Sequence, residues 1–91
     1  MVEPPLESSP KPTSNVSSRI VDGEVVLLDH TNERIHQLNA TASFIWSRLD
    51  GRKTIERVAA EMTQEFDVDE QKALADVGQI VAELVELELL E

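Results

Sequence analysis

The chain contains no cysteine and no tyrosine, and aromatic residues make up 3% of its 91 positions. Without cysteine there is no disulfide framework, no thiolate nucleophile and no zinc site of the Cys type. Basic residues are scarce as well: 8 Lys and Arg stand against 18 Asp and Glu, a formal net charge of −10. That balance repels a phosphate backbone and an anionic membrane surface, because affinity for nucleic acid comes largely from Lys and Arg neutralising phosphates. It argues against nucleic acid and membrane as partners and favours a partner that carries basic patches. No apolar run approaches the roughly 20 residues needed to span a bilayer, and the N-terminus lacks the apolar stretch of a secretory signal, so the cytoplasm is the expected location.

Chemistry is equally thin. With three glycines, at a turn, a cap and a helix face, there is no glycine-rich phosphate loop. The two histidines, His30 and His36, fall in a turn and a strand and do not form a spaced set of metal ligands. The serines near the N-terminus have no orienting base. Glu86, Glu88 and Glu91 lie near the C-terminal end of a helix, against its dipole, and read as a solvated face. No catalytic residue, cofactor or metal is assigned.

What is present divides the chain in two. All four prolines (Pro4, Pro5, Pro10, Pro12) fall in residues 1–15 beside Ser8, Ser9, Thr13 and Ser14. So few apolar side chains cannot offset the entropy of ordering, so this stretch is expected to be a disordered, dispensable tail. Residues 16–91 form the one domain.

Within it, Val16 to Val21 and Glu24 to Asp29 flank Asp22-Gly23, a dipeptide suited to a hairpin whose two turn positions need positive φ. A second turn near His30–Glu33 leads into Arg34-Ile-His-Gln-Leu38, a third antiparallel strand free to lie at an edge. Asn39 is an N-cap for a helix over about Ala40–Leu49, with Ala42, Ile45, Trp46 and Leu49 on one face; Asp50-Gly51 stops it, the glycine at the left-handed C′ position. Thr54 caps a second helix with Ile55, Val58, Ala59 and Met62 inward, and Asp67 or Asp69 caps a third that runs to about Glu88. The fold class is α+β: a three-stranded antiparallel sheet followed by three helices, a small winged helix-turn-helix-like arrangement.

On the last helix Ala73, Val77, Ile80, Leu84 and Leu87 form one stripe, and Leu74, Val81 and Val85 a second beside it, with Gly78 at its margin. Together they span roughly 160–180°, wider than the ~100° a core-facing surface helix requires. One stripe is expected to pack on the other helices and the second to line a groove, the alternative being that both are core.

The run Val26-Leu-Leu-Asp29, then Leu38-Asn39 with Thr41-Ala42 and Ile45, then Leu49-Asp-Gly51, Thr54-Ile55, Val58 and Glu65-Phe-Asp-Val-Asp69, resembles the PqqD family, named for pyrroloquinoline quinone biosynthesis protein D. The resemblance covers about residues 18 to 91. It implies a non-catalytic recognition element that binds the leader of a ribosomally made precursor peptide and presents it to a modifying enzyme, often a radical SAM protein. It also implies that the peptide adds as a strand beside the third strand and rests on the last helix. Carried over, this points to Arg34, Ile35, His36, Gln37 and Leu38 on the strand, and to Leu74, Val77, Gly78, Val81 and Val85 on the helix. Many members have an aromatic residue on that strand where this chain has Ile35-His36.

An exposed edge strand beside a spare apolar stripe independently suits β-strand addition. The chain is expected to be a monomer or weak dimer. Two other classes are weighed against this reading. A winged-helix DNA-binding protein needs a basic recognition helix, whereas Asp69–Glu91 carries seven carboxylates against Lys72. A self-associating structural module would pair the second helical stripe with its copy.

Overall fold

The computed structural model describes residues 5–91. Three strands, β1 (Val16–Val21), β2 (Glu24–Asp29) and β3 (Arg34–Gln37), precede three helices, α1 (Ala40–Arg48), α2 (Ile55–Glu65) and α3 (Glu70–Glu86). The sheet is antiparallel in the order β1-β2-β3, so among the described residues β3 has one neighbour and one open edge. This is the expected α+β order, compatible with a winged helix-turn-helix. Among the described residues no helix is long and apolar enough to cross a membrane.

Local chemistry places each boundary. Asp22 and Gly23 both have positive φ (53° and 83°), the backbone of a two-residue hairpin turn matched to strand twist. Asn39 Oδ1 accepts the Ala42 N–H, Thr54 Oγ1 the Arg57 N–H, and Asp69 Oδ1 the Lys72 N–H, so each helix begins on a side-chain cap. Of the two aspartates considered for the last cap, Asp69 is the one that holds it. The first helix stops one residue early, with Leu49 as its C-cap; Gly51 is left-handed (φ 84°) but lies two residues beyond that cap. Its role is different. The Gly51 N–H donates to the Pro10 carbonyl, and a Cβ there would meet the Lys11 side chain at 3.3 Å.

The helical layer covers one face of the sheet. Val25 and Leu27 from β2 enter a core with Ile45, Trp46, Ile55, Val58, Met62, Val77 and Val81. Trp46 is buried, as its place on the apolar face of α1 demands. A polar clamp joins the layers: Ser43 Oγ, buried on α1, accepts the Val25 N–H at 2.8 Å and donates to the Leu38 carbonyl at 3.2 Å. Phe44 meets Phe66 edge-on at 5.3 Å, and the Arg48 guanidinium stacks over Phe44.

The N-terminal segment differs from the sequence expectation. Residues 1–4 of the expected tail lie outside the described residues, but residues 5–15 run along the domain. Main-chain bonds join Glu56 N–H to Leu6 O, Ile55 N–H to Ser8 O and Thr13 N–H to Leu89 O, and Pro12 bridges Leu90 in antiparallel register. Pro10 is buried. The physical reason is pairing rather than apolar content: the segment finds main-chain partners at the start of α2 and at Leu89–Glu91, which composition does not reveal.

Candidate functional site

The open edge of β3 is the natural starting point. The register pairs Leu27 with His36 and Asp29 with Arg34, and the Leu38 N–H donates to the Val25 carbonyl at 2.9 Å. Because antiparallel ladders alternate, Arg34, His36 and Leu38 turn their main-chain groups toward β2, and Ile35 and Gln37 turn theirs outward. Side chains alternate the other way. His36 and Leu38 share the helix-facing side with Leu27 and Val25, whereas Ile35 lies on the uncovered face, 72% exposed. The opposite edge, β1, carries Ile20, 76% exposed, one residue before its end.

Beside the β3 edge runs a groove of about 410 Å³ lined by Ile35 to Asn39, Ala42 of α1, and Ile80, Glu83, Leu84 and Leu87 at the end of α3. Its walls are apolar at Leu38, Ala42, Ile80, Leu84 and Leu87. A second, smaller space of about 200 Å³ continues it at the Arg34 end, lined by Asp29, Asn32, Arg34, His36, Glu86, Leu87 and Glu88. His36 and Leu87 border both, so the two spaces adjoin at these residues. His36 Nε2 is buried there with no hydrogen-bond partner among the described residues.

Asp29 is structural. Its carboxylate accepts the Asn32 side-chain amide and the main-chain N–H groups of Asn32 and Thr31, which fixes the turn into β3. Those bonds, the Asn32 amide first, hold its carboxyl below the usual carboxylate range.

The end of α3 shapes the other wall. The Glu88 N–H returns to the Val85 carbonyl and the Leu89 N–H to the Leu84 carbonyl, both at 2.9 Å, a Schellman closure with Leu84 and Leu89 buried together. Its left-handed position, where glycine is usual, is held by Glu88 at φ 63°. Glu83, Glu86 and Glu88 thus stand at the negative end of a helix dipole, and among the described residues none has a salt-bridge partner. By contrast Arg48, Lys53 and Arg57 all converge on Glu61.

The residues singled out from the sequence therefore divide. Arg34, Ile35, His36, Gln37 and Leu38 lie together along the edge and the groove. Val77 and Val81 are buried in the core, Gly78 is buried beside them, and Leu74 packs half-buried against the core. Val85, 45% exposed, borders a different space, shared with Ser8, Ser9, Pro10, Val81 and Glu91. The two stripes are exchanged: the N-terminal segment lies beside the second stripe, and the first turns its end, Ile80, Leu84 and Leu87, toward β3. The missed signal is length. α3 has 17 residues against 11 in α2, so its last turns outrun their helical partner and must find another neighbour.

No group of three or more metal-ligating side chains forms among the described residues. His30 shares a 2.8 Å hydrogen bond with Ser17.

Residues 24–90 match the family model described as coenzyme PQQ synthesis protein D (PqqD). The fold is also that of TbiB1 in complex with the TbiA(β) leader peptide, at 33% identity and a TM-score of 0.83 over 89% of this chain and 94% of that one. It matches a lasso peptide synthetase B1 complexed with its leader peptide at 28% identity and a TM-score of 0.84, over 92% and 99% of the two chains. A PqqD truncation of Methylobacterium extorquens PqqCD, described as a stand-alone recognition element for ribosomally synthesized and post-translationally modified peptides, matches at 28% identity and a TM-score of 0.75, over 90% and 87%. No curated protein sequence matches the chain.

Proposed function

This chain belongs to the PqqD family, and from that membership we propose that it holds the leader of a ribosomally made precursor as a fourth strand along β3 and does no chemistry itself. The supporting observation is the pairing of an unshared strand edge with an adjoining apolar groove. The outward main-chain groups of Ile35 and Gln37 supply sequence-independent bonds. Leu38, Ala42, Ile80, Leu84 and Leu87 supply pockets for alternate side chains of the guest. Val77, Gly78 and Val81 support this wall from behind rather than touching the peptide.

The second partner is the enzyme that modifies the precursor. Radical SAM enzymes are the class the sequence resemblance implies, and the likeness to a lasso peptide synthetase B1 adds a second class of pathway. A cytoplasmic role agrees with a precursor met directly after synthesis. The DNA-binding alternative has no basic helix to rest on, since Lys72, the single cation of α3, is paired with Asp76. The self-association alternative needs the second stripe, beside which residues 8–10 already lie.

The test is titration of the isotope-labelled full chain with the leader of the precursor encoded beside it. Amide shifts are expected over Arg34–Asn39 and Ile80–Leu87. Shifts confined to α1 and α2 would overturn strand addition.

A further inference from the structure

We propose that the peptide accepted at the β3 edge is basic as well as apolar, with a Lys or Arg two positions from the nearest side chain seated in the groove. This rests on the strand-addition reading and narrows the class of peptide that fits it.

The geometry sets the spacing. Side chains on one face of a strand recur at every second residue, about 6.5–7 Å apart. The apolar groove and the polar space at the Arg34 end adjoin through His36 and Leu87. A guest strand with an apolar side chain over Ile80 and Leu84 therefore brings its next same-face side chain to the polar space.

Charge sets the chemistry. Glu86 and Glu88 line that space and Glu83 the groove beside it. None has a salt-bridge partner among the described residues, and the C-terminal end of α3 adds negative potential. Among the described residues Arg34 is the single Lys or Arg lining either space. A guest ammonium or guanidinium meets two carboxylates there. A net charge of −10 on the whole chain draws a basic peptide toward it and repels an acidic one.

The test uses the full chain and an mRNA-display library of random 16-residue peptides. Binders are kept when Gln37→Pro, checked for folding, abolishes their binding, which marks them as strand-addition guests. Enrichment of Lys or Arg two positions from an apolar residue is expected. Glu86→Gln/Glu88→Gln should weaken such binders about three- to tenfold at low salt, with the difference shrinking at 0.5 M salt. Groove binders without basic enrichment, or with affinity unchanged in the double variant, overturn the basic preference while leaving strand addition standing. A library that yields no Gln37-dependent binder overturns both.

Discussion

The Lys11 N–H donates to the Glu91 carbonyl at 3.2 Å, and the Glu91 N–H donates back to the Lys11 carbonyl at 2.9 Å. This reciprocal pair, with Pro12 opposite Leu90, lays residues 10–13 alongside the last residues after α3. Leu89 and Leu90 are buried in the core, so the strap that pairs with them holds part of that core in place. The exposed Lys11–Glu91 ion pair, at 3.5 Å, adds little by comparison.

Removing residues 1–15 is therefore expected to destabilise the domain by about 1–3 kcal/mol, through lost main-chain pairs and exposure around Val81, Val85 and Leu90. A dispensable tail would change stability by no more than about 0.5 kcal/mol. Urea denaturation of the two proteins separates these outcomes.

Ser43 carries a second prediction. Its hydroxyl is the partner of the Val25 N–H in a buried setting, and it also steadies Leu38 at the start of the groove. Ser43→Ala leaves that N–H unpaired and should cost about 1–3 kcal/mol. Ser47→Ala, which removes an exposed bond to the Phe44 carbonyl, should cost less than about 0.5 kcal/mol. Equal losses for the two would show that the clamp is not what joins α1 to the sheet.

How much of this was legible beforehand follows from where the information lies. Asp22-Gly23, Asn39 and Thr54 act on neighbours two or three residues away, so turns and caps could be read from the chain directly. The edge position of β3 followed from its order in a meander. Stripe assignment on α3 could not be read this way, because Ile80 and Val81 are equally apolar and differ only in what lies opposite. What lies opposite Val81 and Val85 is Ser8–Pro10, a segment whose composition predicts no packing at all. Ser43 was missed for a related reason: a serine on a helix face signals nothing until a strand N–H arrives 18 residues away in sequence.

Acid should weaken the domain in part through Glu61. Hydrogen bonding from Lys53, then from Arg57, holds its carboxyl below the usual range despite burial, which acts the other way. A depressed folded value means the contribution is complete above the unfolded value, near pH 4.5, and is lost as pH falls through the lower folded value. Glu61→Gln should be less stable than the parent at pH 7, and the gap should narrow as pH falls below 4.5. A gap that stays constant across this range would remove Glu61 from the acid response.

Glu88 occupies a backbone conformation that costs a side-chain residue about 1 kcal/mol and glycine almost nothing. Glu88→Gly should raise the unfolding midpoint by an amount equivalent to about 1 kcal/mol, while the same substitution weakens binding of basic peptides. A fall in stability instead would mean that the Glu88 side chain makes a compensating contact.

The sharpest discrimination lies between adjacent residues of β3. The Gln37 N–H points outward, so Gln37→Pro removes a donor that only a guest strand uses. The His36 N–H belongs to the ladder with Leu27, so His36→Pro should cost about 2 kcal/mol or more and loosen β3 itself. On α3 the same contrast pairs Leu87, 39% exposed and on the groove wall, with Val81, fully buried. Leu87→Asp is expected to abolish peptide binding with the fold intact, whereas Val81→Asp buries an unpaired charge and should unfold the domain outright. Circular dichroism and leader-peptide titration on all four variants read the two effects separately. A folded Gln37→Pro protein that binds the leader undiminished would mean that the guest does not pair with β3 at Gln37, which with Ile35 supplies the outward main-chain groups of this edge.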